Sequence, residues 1–205
     1  MRWSGDGWNA LRYSIYAPIY DAVVGPVEAG RRTAHALVQV LPGERVLIVG
    51  AGTGRDLPLL PQGAQIVALD VAPAMVARLT ARAKRLGLQV DARIGSASNI
   101  DLPDSSVDVV LLHLVLAVVP DPLACLREAT RVLRPGGRMS IFDKFVDDGA
   151  RPPVWRRAAN LVTKLLFSDI NRQLGPLLSE AGLECETYEP AALGGAFRVA
   201  IVRKR

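Results

Sequence analysis

Several features that define specialised protein classes are scarce in this sequence of 205 residues. Its two cysteines, Cys125 and Cys185, match neither a metal-binding nor a redox spacing, so we interpret both as reduced, structural thiols. The longest apolar run, residues 107–120, is interrupted by Asp108 and His113 and is shorter than the roughly 20 residues that span a bilayer. These absences disfavour a disulfide scaffold, a membrane-spanning protein and a cysteine-based or metal-dependent chemistry.

A secretion signal is also lacking, since Asp6 and Asn9 interrupt the N-terminal residues before a continuous apolar segment forms. We therefore expect a cytoplasmic protein, with a peripheral position on the inner membrane face as an open alternative. The sequence is 50% hydrophobic and 22% charged, which is the balance of one globular domain. Its net charge of +5 favours an anionic partner, such as a lipid headgroup, an acidic substrate or nucleic acid.

Short apolar runs alternate with helical patterns from about residue 40 onward, which predicts an α/β fold with a mostly parallel sheet. Helices are predicted at 73–86 and 122–133, the second beginning after Asp121 as its N-cap. The last two strand-like runs flank Gly194-Gly195 and predict an antiparallel hairpin. The seven predicted strands are 45–49, 65–69, 88–94, 107–113, 137–142, 183–189 and 197–202.

A glycine-rich loop is the strongest local signal, because the apolar run at 46–49 leads directly into three alternating glycines at 50–54. Asp70, at the end of the next predicted strand, is placed to accept hydrogen bonds from ribose hydroxyls. Simple strand-to-helix packing for the glycines, and a helix N-cap for Asp70, are the alternatives. A dinucleotide site is disfavoured, since Arg55 stands where the classical pattern needs its third glycine.

Three more segments follow in order: GSA at 95–97, LPDSSVD at 102–108 and RVLRPGG at 131–137. Together with the glycine loop and Asp70, they resemble the class I S-adenosylmethionine-dependent methyltransferases, especially the group of ubiquinone and menaquinone biosynthesis. The resemblance covers roughly residues 10–205. It implies a Rossmann-like fold whose mostly parallel seven-stranded sheet ends in an antiparallel C-terminal strand, with S-adenosylmethionine as the cofactor.

The resemblance also implies a set of cofactor-binding residues. The glycine loop would line the methionine part of the cofactor, Asp70 would bind the ribose, and Val71, Met75, Ser96 and Ala97 would surround the adenine. His113 ends the fourth predicted strand, where it can bind the cofactor carboxylate or take a proton from the substrate, and a structural histidine is the alternative. Two positions depart from the family, because Ile48 and Ser96 stand where acidic residues are common. The predicted cofactor-binding residues are Gly50, Ala51, Gly52, Thr53, Gly54, Asp70, Val71, Met75, Ser96, Ala97 and His113.

The N-terminal segment carries a second resemblance. Its run YSIYAPIYD at 13–21, followed by Gly25-Pro26 and GRR at 30–32, is similar to the segment that precedes the domain in bacterial phosphatidylethanolamine N-methyltransferases. The resemblance implies a helical lid at 1–40 over a methyltransferase domain at 41–205. Tyr16, Tyr20 and His113 are the predicted catalytic residues, for positioning the acceptor or taking its proton. Asp143 and Lys144 are expected to form a surface ion pair, and His35 to be structural.

Residues 151–167 combine an apolar stripe at helical spacing with arginines and a lysine on the other side. Such a segment suits either an anionic membrane surface or a cover over the substrate pocket. The leading functional hypothesis is methylation of a lipid or apolar acceptor, with the phosphatidylethanolamine amine as the best single acceptor. A quinone precursor or secondary metabolite methylated at oxygen, carbon or sulfur is the runner-up. A nucleotide-binding oxidoreductase and a noncatalytic module are the alternatives of another class, and nucleic acid is not expected as a partner.

Overall fold

The computed structural model describes residues 5–16, 25–146, 149 and 171–204. A seven-stranded sheet forms the centre of this part of the chain, with the order β3-β2-β1-β4-β5-β7-β6. Strands β1 to β5 run parallel, whereas β7 is antiparallel to both β5 and β6. The strands are β1 Arg45–Val49, β2 Gln65–Asp70, β3 Val90–Ile94, β4 Val107–His113, β5 Leu133–Lys144, β6 Cys185–Ala192 and β7 Phe197–Arg203.

Helices cover both faces of this sheet. They are α1 Gly5–Tyr16, α2 Glu28–Val38, α3 Pro73–Leu86, α4 Pro122–Val132 and α5 Leu174–Glu180. Asp121 caps α4 as predicted, because its carboxylate accepts a hydrogen bond from the Ala124 amide at 2.9 Å. Short 3-10 turns lie at Gly25–Val27, Leu57–Leu59 and Leu193–Gly195.

The core is divided by the sheet into two apolar layers, because side chains alternate between the faces of each strand. In β4, Val110 and Leu112 pack in the layer under α4 and α5, whereas Val109 and Leu111 pack in the layer under α2 and α3. His113 continues the second series and therefore faces the α2 side. The parallel strands β1 to β4 end at a common carboxyl edge, where open α/β sheets bind ligands.

The predicted fold class is confirmed, including the antiparallel strands at the C-terminus. The largest difference in bounds is at β5, which was predicted to begin at Gly137 after a turn but already begins at Leu133. The strand approaches its neighbours closely here, since a Cβ at Gly137 would meet the carbonyl oxygens of Arg134 and Asp108 at 2.9 Å. Within the described ranges, no helix has the length and apolar character to cross a membrane. The basic segment 151–167 lies outside those ranges.

Candidate functional site

The glycine loop turns sharply at the end of β1. Gly50 has a φ of +60°, and a Cβ there would approach the Val115 side chain to 2.4 Å. Both the backbone conformation and the close contact therefore require glycine at this position. Gly54 has a φ of +78° and packs against Leu57 and Leu79 rather than facing open space. The loop is thus pressed between β4 and the helical layer, and only part of it is left to contact a ligand.

Asp70 holds this loop in place from the end of β2. Its carboxylate accepts hydrogen bonds from the backbone amides of Gly52 at 2.8 Å and Ala72 at 2.9 Å. Burial raises the pKa of Asp70, because these amides compensate only part of the lost hydration. The predicted alternative, a helix N-cap at Asp70, is wrong, because the N-cap residue of α3 is Ala72 and no side-chain hydrogen bond caps that helix. Asp70 also faces the neighbouring cavity, where hydroxyl donors would complete its hydrogen bonding.

A cavity lies at the carboxyl ends of β1 to β4, the edge at which open α/β sheets bind ligands. Its walls come from the glycine loop, the ends of the neighbouring strands and the inner face of α1. The cavity wall is polar around Asp70 and is mostly apolar elsewhere. It is lined by Asp6, Asn9, Tyr13, Gly50, Gly52, Asp70, Val71, Met75, Gly95, Ala97, Leu114, Val115, Val118 and Val119.

Helix α1 lies over this cavity and makes polar contacts with two of its walls, one after β3 and one after β4. Asp6 accepts a hydrogen bond from the Ser96 hydroxyl at 2.6 Å, beyond the end of β3. Asn9 donates one to the Val118 carbonyl at 3.0 Å, beyond the end of β4. Tyr13 packs against the small apolar cluster that contains Met75. The helix therefore bridges the two sides of the cavity and closes it from above.

Tyr13 is the tyrosine of the N-terminal segment that lines the cavity. Burial raises its pKa to about 12, opposed by the nearby Arg12 and reinforced by the negative charges of Asp143 and Asp70. At neutral pH its hydroxyl therefore stays protonated, so it can donate or accept a hydrogen bond without carrying charge. The side chain of Tyr16 and the whole of Tyr20 lie outside the described residues, and their catalytic roles stay predictions.

A second polar cluster lies behind the glycine loop, between the sheet and α2, and we call it the Asp56 network. One Asp56 oxygen contacts His113 Nδ1 at 2.6 Å and His35 Nε2 at 2.9 Å. The other forms an ion pair of 2.5 Å with Arg31. Burial alone would raise the pKa of Asp56, but Arg31 and the two histidines hold it well below its usual range. This network ties the glycine loop to α2 and β4.

His113 is not where the sequence placed it, at the cofactor. Its ring is 4% exposed, is absent from the cavity lining and uses both nitrogens, Nδ1 for Asp56 and Nε2 for Ser140 at 3.0 Å. Burial also lowers its pKa, which disfavours taking up a proton. The physical reason is the alternation of side chains in β4, which turns position 113 toward α2. His113 is better described as a positioning residue for Asp56.

The Asp56 network invites two other chemical interpretations. Its histidine and carboxylate atoms lie within 4.8 Å of one another, close enough to hold a metal ion. The Arg31 guanidinium on the same carboxylate would repel such a cation, and hydrogen bonds already account for the contacts. The order Asp56, His113, Ser140 also matches a hydrolase triad. Ser140 is 0% exposed, however, and a substrate has no access to its hydroxyl.

The remaining predicted site residues divide between the cavity wall and its support. Gly50, Gly52, Asp70, Val71, Met75 and Ala97 line the cavity. Ser96 reaches the wall through its bond to Asp6, while Ala51, Thr53 and Gly54 shape the loop behind it. The expected surface ion pair of Asp143 and Lys144 is wrong for Asp143, which is 1% exposed and accepts from the Ala117 amide at 2.9 Å. Its pKa is raised by that burial.

Sequence reasoning missed the α1 residues Asp6 and Asn9 as part of the cavity lining and chose other tyrosines than Tyr13. A signal was present, since these three residues are three and four positions apart and so share one helix face. It also missed the apolar wall after β4, formed by Leu114, Val115, Val118 and Val119.

The fold and the cavity together define an α/β protein with a candidate small-molecule site at the carboxyl edge of its sheet. A family model described as a methyltransferase domain matches residues 47–141. The chain is 31% identical to a phosphatidylethanolamine N-methyltransferase of Cereibacter sphaeroides, over 87% of this chain and 89% of that protein. The chain belongs to the class I S-adenosylmethionine-dependent methyltransferases, and S-adenosylmethionine is its cofactor.

Solved structures agree with this assignment at the level of the fold. A SAM-dependent methyltransferase from Aquifex aeolicus superposes with a TM-score of 0.69 at 21% identity, covering 92% of this chain and 97% of the other. A geranyl diphosphate methyltransferase in complex with SAM gives a TM-score of 0.75 at 16% identity, covering 87% and 85%. The sequence similarities, rather than the shared fold, favour methyl transfer over the oxidoreductase alternative.

Proposed function

We propose that this methyltransferase transfers the methyl group to the headgroup amine of phosphatidylethanolamine. The observation that carries the proposal is the similarity to the Cereibacter enzyme of that name, which extends over 87% of this chain and 89% of that protein. This match is much longer than the residues 47–141 that the methyltransferase-domain model covers. The acceptor is therefore inferred from a similarity that extends well beyond the cofactor-binding part of the fold.

The cavity suits such an acceptor in its polarity. S-adenosylmethionine supplies an electrophilic methyl group, so the protein must chiefly align the acceptor and exclude water. The wall after β4 is apolar, formed by Leu114, Val115, Val118 and Val119, and Tyr13 lines the same cavity from α1. This side of the cavity can accommodate the glycerol and first methylene groups of a lipid, with the headgroup amine near the tyrosine hydroxyl.

An amine acceptor must first lose a proton, because an ammonium has no lone pair with which to attack. For an amine whose pKa is about 10.4, deprotonation at pH 7 costs roughly 4 to 5 kcal/mol. Tyr13 cannot be the base at that pH, since burial raises its own pKa to about 12. Its role in the proposal is to accept a hydrogen bond from the amine and orient it, while desolvation under α1 lowers the pKa of the amine.

The direct test is transfer of a labelled methyl group from S-adenosylmethionine to vesicles of phosphatidylethanolamine. We expect labelled mono- and dimethylated lipid, a rate that rises with pH, and a slower rate in Tyr13→Phe. Phosphatidylglycerol vesicles, which present no amine, provide the matched control. Cofactor binding without any labelled phosphatidylethanolamine would contradict the proposal and favour an apolar small molecule, methylated at oxygen, carbon or sulfur.

Membrane contact is part of the proposal and depends on the sequence of residues 151–167. This segment includes Arg156 and Arg157, each of which would contribute about 1 kcal/mol near an anionic surface. We expect cosedimentation with anionic vesicles that weakens as salt rises, because exposed charges are screened over about 10 Å at 0.1 M. The double change to glutamate should reduce it. If the unaltered protein ignores such vesicles at low salt, the segment does not serve membrane binding.

A further inference from the structure

One carboxylate of the cavity wall comes from outside the sheet. Asp6 lies in the first turn of α1 and lines the cavity, and its Oδ2 atom is 2.6 Å from the Ser96 hydroxyl. The Ser96 hydroxyl also accepts from the Ser98 amide at 3.2 Å. Its one hydrogen is thereby used for Asp6, so Ser96 can offer a ligand only a lone pair. A carboxylate has about four acceptor positions, so Asp6 keeps acceptor capacity for a ligand.

The orientation of the cofactor follows from the distribution of polar and apolar groups. Asp70, at the end of β2, is the buried carboxylate that suits the two ribose hydroxyls. On the β3 side of Asp70 the cavity is bordered by Val71, Met75 and Ala97, an apolar slot for a flat ring. A base held in this slot would have the Asp6–Ser96 pair within the same cavity as its polar edge.

We propose that Asp6 is a specificity-determining residue that recognises the exocyclic amino group of the adenine. An amino group donates hydrogen bonds, and the polar groups at this end of the slot are acceptors. A base with a carbonyl oxygen in place of the amino group would bring two acceptors together, which is repulsive when one of them is a carboxylate. The inference concerns the cofactor and does not depend on the acceptor.

The position of Asp6 on α1 has a consequence for the order of events. The same helix reaches across to the Val118 carbonyl through Asn9 and lines the cavity through Tyr13. Recognition of the adenine by Asp6 would therefore add a contact between the cofactor and the helix that also reaches the apolar wall after β4. The cofactor stabilises the closed cavity before an acceptor is methylated.

The test compares two ligands that differ at one position of the base, S-adenosylhomocysteine and S-inosylhomocysteine. Calorimetry on the unaltered protein should show at least about tenfold preference for the adenosyl ligand. In Asp6→Ala the adenosyl ligand should bind about tenfold more weakly while the inosyl ligand is unchanged or tighter. Asp6→Asn, whose amide can donate to the base oxygen, should shift the preference toward the inosyl ligand.

Two control variants separate direct recognition from a structural role of Asp6. Ser96→Ala removes one hydrogen bond of Asp6 and keeps its carboxylate, so it should reduce the preference for the adenosyl ligand less than Asp6→Ala does. Glu189→Ala removes an exposed carboxylate at the far edge of the sheet and should change neither affinity. If Asp6→Ala weakens both ligands equally, or leaves the preference intact, Asp6 only fastens the helix and the proposal is wrong.

Discussion

Two buried aspartates flank the glycine loop and differ in what surrounds them. Asp70 is 8% exposed and Asp56 is 2% exposed, so burial alone does not distinguish them. Asp70 accepts hydrogen bonds from backbone amides, its pKa is raised and its carboxylate faces the cavity. Asp56 is surrounded by Arg31, His35 and His113, and its pKa is lowered well below the usual range.

The difference teaches how a ligand site can be told from a structural cluster on the same fold. The Asp56 network satisfies its carboxylate with side chains of the protein, so a ligand has nothing to add. Asp70 keeps part of its hydrogen-bonding capacity for a partner that the chain itself does not supply. Burial would raise the pKa of either aspartate, but the charged Arg31 contacts Asp56 and lowers its pKa, whereas the backbone amides that contact Asp70 leave its pKa raised.

The largest effect is expected from Asp56→Ala. Removing this carboxylate leaves the Arg31 guanidinium buried beside two histidines, and breaking a buried ion pair in this way costs about 3 to 5 kcal/mol. The free energy of unfolding in urea measures the loss. Asp91→Ala is the matched control, since its pair with Arg93 is exposed and is worth about 0 to 1 kcal/mol. Equal losses in the two variants would show that the Asp56 network is not a structural unit.

A smaller effect, on binding, is expected from Asp70→Ala. Leaving the ribose hydroxyls and the Gly52 amide without their acceptor should weaken S-adenosylhomocysteine by about 1 to 3 kcal/mol. Calorimetric titration of the folded variant provides the measurement, and Asp70→Asn, which retains one acceptor oxygen, should lose less. An unchanged affinity in a folded Asp70→Ala protein would show that another residue binds the ribose.

The pH dependence of stability should report the Asp56 network through His113. Burial lowers the pKa of this histidine below its unfolded value of about 6.5, so the unfolded chain binds its proton first as the pH falls. Stability should therefore decrease below about pH 6.5, by up to about 1.4 kcal/mol per pH unit from this one group. The depressed pKa of Asp56 adds a further loss at still lower pH.

Urea unfolding at pH 7.5 and pH 5 tests this linkage. His113→Gln, which removes the titrating ring and keeps a hydrogen-bonding side chain, should reduce the decrease between the two pH values. Arg31, His35 and Asp56 face the same ring, so they stay unchanged in this comparison. If the free energy of unfolding decreases by the same amount in the variant, groups other than His113 cause the pH dependence of stability.

The smallest effect is expected from Tyr13→Phe on cofactor binding. Tyr13 lines the cavity through its ring, which packs with Met75, and the substitution retains that contact. Affinity for S-adenosylhomocysteine should change by less than about threefold, while methyl transfer slows. If affinity falls as far as in Asp70→Ala, the hydroxyl contacts the cofactor rather than the acceptor.

Local sequence signals predicted the strands and the cofactor loop well. The bounds of β1, β4 and α3 agree with prediction, because apolar runs end there at glycine, proline or charged residues. Asp70 and the glycines were found because close backbone approach and ribose binding require those residue types at the ends of strands. The start of β5 was missed, since Pro-Gly-Gly usually marks a turn and here follows the first residues of a strand.

The Asp56 network could not be predicted, because its members come from distant parts of the chain. Arg31 and His113 lie 25 and 57 residues from Asp56, and only the packing of α2 on the sheet brings them together. The face of β4 that His113 occupies does follow from alternation, but which face opens on the cavity depends on the helices that cover each side. The places of Asp6 and Asn9 on α1 could not be predicted either, because they depend on tertiary contacts with Ser96 and Val118.

The most direct test of this account is a calorimetric titration of the folded protein with S-adenosylhomocysteine and, separately, with NAD. The cavity beside Asp70, with Arg55 in place of the third glycine of a dinucleotide motif, is predicted to bind the first ligand and not the second. Binding should survive His113→Gln, because that residue belongs to the Asp56 network. Preferential binding of NAD, or loss of S-adenosylhomocysteine binding in a folded His113→Gln protein, would contradict the account.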